Sequence, residues 1–116
     1  MALKAVFIFL APKADPKIHK SLISTPTLEL HIVGTKNYDE ACEVAKELVN
    51  QGIGAIELCG GFGNVGAGKV SDAVEHKVPV GVVRFDIHPG LGDKSGDEFF
   101  IWRNSTPLIK KSQYKI

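Results

Sequence analysis

The stretch Ala55-Ile56-Glu57-Leu58-Cys59-Gly60-Gly61-Phe62-Gly63-Asn64-Val65-Gly66 decides how this 116-residue chain is read. A short apolar run breaks into glycines, and Val70, Ala73 and Val74 then recur at helical spacing. Pro79 opens another extended run over residues 80–85. Strand, glycine turn, helix and strand in that order predict two parallel strands joined by a right-handed crossover.

The pattern extends toward the N-terminus. Asn37 and Glu40 have the spacing of a capping box, and Ala41, Val44, Ala45, Leu48 and Val49 line one side of the helix that follows. Gly52 ends that helix. Residues 27–33 alternate Leu28, Leu30 and Ile32 with Glu29 and His31, which predicts an edge strand. Asp15-Pro16 supplies a cap and a first-turn proline, so Ile18, Leu22 and Ile23 predict a helix that stops before Thr25-Pro26. Residues 4–10 are continuously apolar, as in a strand covered on both faces.

The expected fold class is therefore α/β: a three-layer α/β/α domain with a four-stranded, mainly parallel sheet, flavodoxin-like or half-Rossmann. The strand order taken is 2-1-3-4. Residues 1–98 form the single domain of this reading, and 99–116 form a C-terminal tail that docks or builds a homo-oligomer interface. The tail opens on Phe99-Phe100-Ile101-Trp102 and ends with three lysines.

Composition bounds the function. Fourteen basic and 13 acidic side chains are too balanced for a nucleic-acid partner or a membrane surface. No apolar run approaches the roughly 18 residues of a membrane span. The run after Lys4 imitates a secretory signal only thinly, and its aromatic and β-branched content reads better as the first strand. Cys42 and Cys59 match no C-x-x-C spacing and read as reduced thiols, which points to a cytoplasmic protein.

The candidate site lies beyond the carboxyl ends of the third and fourth strands, where open parallel sheets bind ligands. Gly61, Gly63 and Gly66 spell G-x-G-x-x-G between strand and helix, and Asp86 follows Gly66 by 20 residues. Three readings stay open for this turn: tight helix packing, an anion held by the loop (Gly60, Gly61, Phe62, Gly63 and Asn64), or a dinucleotide site. A P-loop is rejected because Val70 stands where a magnesium-binding Ser or Thr is required. Cys59 is a candidate nucleophile or a structural thiol, and a phosphatase loop is excluded by Val65 where Arg is needed. Glu57 is the expected ion-pair partner of Arg84 across neighbouring strands, read either as a structural pair or as ligand-binding charges beneath the site. Asp86 and His88, two apart, are an acid/base candidate pair or a held turn. A bound metal is not expected, since no third histidine stands nearby, and the cofactor is left unassigned. His19, His31 and His76 read as solvated.

Residues 2–12, 55–63, 78–86 and His88-Pro89-Gly90 together resemble a family of small prokaryotic α/β proteins known only as a domain of unknown function. The resemblance covers roughly residues 2–98 and implies a single cytoplasmic α/β domain. It supplies no activity, cofactor or catalytic residue. Two readings of function follow: a small-molecule or anion site at the carboxyl edge of strands 3 and 4, or a non-catalytic homo-oligomeric module.

Overall fold

The computed structural model describes residues 2–102. Along the chain come β1 (Leu3–Leu10), β2 (Lys20–Ser24), β3 (Leu28–Thr35), α1 (Tyr38–Asn50), β4 (Ala55–Leu58), α2 (Asn64–Ala73) and β5 (Val80–Val82). A 3-10 turn at Pro89–Leu91 and a π-turn at Glu98–Trp102 follow. One sheet holds the five strands in the order β2-β3-β1-β4-β5. β1 runs parallel to β3 and β4, and β5 parallel to β4; β2 is antiparallel to β3. The four expected strands keep their 2-1-3-4 order, and a fifth is added at one edge.

That fifth strand corrects two expectations. The helix predicted after Asp15-Pro16 does not form, although its opening turn does: Asp15 Oδ1 accepts from Lys17 N at 2.9 Å and the Asp15 carbonyl from His19 N at 2.7 Å. Only residues 25–27 separate β2 from β3. Three residues suffice for a hairpin but not for a crossover, so the two runs must pair antiparallel. Thr25 Oγ1 holds the bend by accepting from Leu28 N at 2.9 Å. β2 takes the edge, and β3 becomes an interior strand.

The same change removes a layer. The connections β3-α1-β4 and β4-α2-β5 both advance toward β5, so right-handedness places both helices on one face. The step from β1 to β3 runs the other way, and a helix there would have covered the opposite face. β2 stands in its place, and the described residues form two layers instead of three. Val6, Ile8, Val33, Ile56 and Leu58 meet Ala41, Ala45, Val70 and Val74 in one core cluster. Each fully buried aliphatic side chain contributes about 1.5–3 kcal/mol to the fold. Phe7, Phe9, Leu28, Leu30 and Ile32 alternate to the other face, outside that cluster.

Candidate functional site

α2 starts with Gly63 at its N-cap, which has no side chain to satisfy the first-turn amides. The acceptor comes from 31 and 32 residues further on: Asp97 Oδ1 accepts from Gly66 N at 3.0 Å and Oδ2 from Val65 N at 2.9 Å. Tyr38 Oη donates to Asp97 Oδ1 at 2.9 Å and accepts from Gly63 N at 3.0 Å. Gly61 N and Phe62 N turn back to Cys59, to its Sγ at 3.3 Å and its carbonyl at 3.1 Å. The first-turn amides of α2 at Val65 and Gly66 thus hold a carboxylate, while the turn amides at Gly61, Phe62 and Gly63 go to Cys59 and Tyr38. That carboxylate is the chain's own, 3% exposed.

The glycines make this closure possible. A Cβ on Gly63 would lie 2.3 Å from the Asp97 carboxyl carbon, and one on Gly96 only 1.9 Å from the Gly61 carbonyl oxygen. The Tyr38 ring stacks on Phe62 at 5.5 Å and meets Phe100 at 5.0 Å. Phe100 and Ile101, expected in the tail, therefore pack against the core. Burial, offset in part by the Gly63 amide and reinforced by Asp97, holds the Tyr38 phenol in its neutral form well above its usual range. Neither Tyr38 nor Asp97 was singled out in the sequence. The one local hint was a helix start lacking a side-chain cap, which calls for an acceptor from elsewhere.

The remaining candidates are spread along the carboxyl edge. The expected Glu57–Arg84 pair does not form: Arg84 Nε donates to Asp86 Oδ1 at 3.0 Å, both side chains exposed. β5 is an edge strand that ends at Val82, so Arg84 leaves the sheet into water and incurs no burial cost that Glu57 would have to offset. Glu57 is exposed on the face away from the helices. His88 Nδ1 accepts from Gly90 N at 3.0 Å, which caps the 3-10 turn, and its ring meets Phe85 at 4.6 Å. Asp86 and His88 thus each face their own local partner. The Phe85 ring lies across Gly60, where a Cβ would meet it at 2.1 Å. Asn64 is exposed, while Gly60, Gly61, Phe62 and Gly63 are buried. Trp102 lies at the limit of the described residues, and the lysines of the tail lie outside them.

Two further arrangements were not foreseen. Ser71 Oγ lies 3.0 Å from His76 Nδ1, and His76 Nε2 lies 2.9 Å from Asp72 Oδ1. This serine–histidine–aspartate chain stands at the solvated end of α2, with His76 and Asp72 largely exposed, as expected for His76. The second arrangement is a cleft of about 660 Å³ between β2, β3 and α1. Leu22, Val33, Val44 and Leu48 line it, with His31 beside them. Lys17 and Lys20 line it from β2 and the segment before it, and Glu40, Glu43 and Glu47 from α1. The cleft exists because β2 extends the sheet past the width that α1 covers. His31 lines it, 3.8 Å from Glu29, and is not on an edge strand.

These features define a two-layer α/β protein with a five-stranded, mostly parallel sheet and a glycine turn closed by an internal carboxylate. Among the described residues, no helix is long and apolar enough to cross a membrane. Residues 3–98 match the family of unknown function DUF6506, and the chain belongs to that family, in line with the resemblance in its sequence. No curated protein and no solved structure matches the chain.

Proposed function

We propose that this protein binds a small amphipathic zwitterion, of the size of a free apolar amino acid or dipeptide, in the cleft between β2, β3 and α1. One observation carries the reading: the apolar lining from Leu22, Val33, Val44 and Leu48 is joined by Lys17 and Lys20 from β2 and the segment before it and by three carboxylates from α1, of which Glu40 and Glu43 also pair with Lys36 and Lys46. The volume falls within the roughly 300–1,000 Å³ range of small-ligand sites. A carboxylate would face Lys17 and Lys20, an ammonium group would face the α1 glutamates, and the apolar body would rest on Leu22, Val33, Val44 and Leu48. The expected class of ligand is kept, and its place moves from the carboxyl edge, where Asp97 holds the loop amides, to the open flank of the sheet. The reading is one of binding in a cytoplasmic protein without a nucleic-acid partner, and no bond-making step is assigned.

Titration of the full chain with leucyl-leucine, followed by amide and methyl NMR shifts, tests it. Shifts centred on Leu22, His31 and Leu48 are expected, with at least tenfold weaker binding of the N-acetylated, C-amidated dipeptide. Leu22 is half exposed on an edge strand, so Leu22→Glu keeps the fold and removes the floor. The absence of shifts at about 10 mM, ten times a 1 mM Kd, contradicts the proposal. A second reading, that the protein is a homo-oligomeric module of 1–98 with its 99–116 extension, is favoured by the apolar sheet face outside the core.

A further inference from the structure

We infer that the sheet face opposite the helices is the interface with a second copy of this chain, packed face to face. This rests on the homo-oligomeric reading and gives it a surface other than the tail. The register defines the face. Ala5, Phe7 and Phe9 of β1 lie beside Leu30, Ile32 and Gly34 of β3, while Ile23 of β2 pairs with Leu30 and Ala55 of β4 with Ala5. Phe7, Phe9, Leu30 and Ile32 are only partly buried and stand outside the core cluster. Ile23 is 50% exposed.

Among the described residues, Glu57 is the one ionisable strand residue on this face, and it sits toward the β5 edge beside Gly81, at the rim. Charge depleted from the centre and left at the rim is the composition of a protein–protein interface.

Three observations favour a second copy as the occupant. First, a face whose one strand charge, Glu57, stands at the rim is complementary to itself: like meets like across a two-fold axis with no unpaired ion buried at the centre. Two such twisted sheets pack with their strands about 30° apart and their backbones about 10 Å apart. Second, strand rise and spacing give the five strands a projected area of roughly 440 Å², before the relief of phenylalanine and leucine side chains is added. That is the size of the largest apolar patches on monomers, and side-chain relief brings it toward the roughly 600–800 Å² per partner of small to standard interfaces. Third, the chain's own tail is poorly matched to it. Phe100 and Ile101 themselves pack against the core cluster on the helix side of the sheet. Residues 103–116 carry four cations and no acid, against the single carboxylate of this face.

Sedimentation velocity on the full chain, from about 1 µM to about 500 µM, tests the inference. The mass is expected to rise from one chain to two across that range, and Leu30→Lys is expected to weaken the dimer at least 100-fold while the circular dichroism stays native. A monomer at every concentration overturns both the interface and the homo-oligomeric reading. A dimer whose strength Leu30→Lys leaves unchanged overturns this interface alone and leaves the oligomer standing. Should Leu30→Lys unfold the chain, Ile23→Lys on the exposed edge strand decides in the same way, with at least a tenfold loss expected.

Discussion

Ile8 and Phe9 are consecutive residues of β1 and meet opposite fates. Ile8 is fully buried in a cluster fed by both helices. Phe9 turns to the other side, where no helix stands among the described residues and its ring covers the backbone of Gly34. The two faces differ little in apolar content; they differ in what the connections bring to them. Crossovers toward β5 deliver α1 and α2 to one face, and the single connection running the other way is a hairpin strand. Hydrophobicity alone therefore does not mark a core. The handedness and direction of each connection decide which apolar face is filled from within the chain.

The largest expected effect tests how the covered side is closed. Asp97→Ala leaves the Tyr38 hydroxyl and the Val65 and Gly66 amides without their acceptor, and bonds to a charged group contribute about 1.5–3 kcal/mol each. A loss of about 4 kcal/mol in urea unfolding is expected, and about half that for Asp97→Asn. A loss under about 1 kcal/mol would show that the carboxylate does not hold the loop.

Next, Ile8→Ala and Ile32→Ala set the faces directly against each other. Ile8→Ala is expected to cost about 3 kcal/mol at any protein concentration. Ile32→Ala is expected to cost about 1 kcal/mol in dilute protein and more as concentration rises, because in the proposed dimer part of its burial comes from the second copy. Equal and concentration-independent losses would erase the distinction between the faces.

A pH series follows. The Tyr38 phenol titrates above its ordinary 10.0 in the folded chain because burial, then Asp97, disfavours the phenolate. The folded state thus keeps a proton that the unfolded state releases. The associated stability is fully present below pH 10 and is lost as pH rises through the folded value. The melting temperature is expected to fall above pH 10, and Tyr38→Phe to flatten that limb at a lower overall stability. A limb unchanged by Tyr38→Phe would assign it to other groups.

The smallest effect is a gain. Gly68 lies inside α2 with open space where a Cβ would project, so Gly68→Ala is expected to stabilise by up to about 1 kcal/mol. At Gly66 a Cβ would strike the buried Tyr38 ring at 2.3 Å, and Gly66→Ala is expected to destabilise. Opposite signs two residues apart, read from urea midpoints, separate glycines that serve packing from glycines that do not.

Much of this arrangement was legible in the sequence where signals are local. Asn37 accepts from Glu40 N at 2.8 Å, Gly52 leaves α1 with φ +101°, and the strand–glycine turn–helix unit stands where 55–74 placed it. Two local signals compete at 15–27. Asp15-Pro16 does start a helical turn, but Thr25-Pro26-Thr27 is a three-residue hairpin connection, and the pairing it permits overrides the helix beyond that turn. The internal closure of the carboxyl edge was not legible, because its acceptor, Asp97, lies 31 residues beyond Gly66. No local pattern links a glycine turn to a carboxylate that far away. The cleft was out of reach for a related reason, since it is the space left between a strand read as helix and the helix beside it.

Solvent relaxation of methyl groups by a soluble gadolinium chelate, measured on the full chain at low and high concentration, tests the two-faced sheet most directly. The Ile8 and Ile56 methyls should be shielded at both concentrations, and those of Leu30 and Ile32 exposed in dilute protein and shielded in concentrated protein. Leu30 and Ile32 methyls that stay equally exposed throughout would contradict the account.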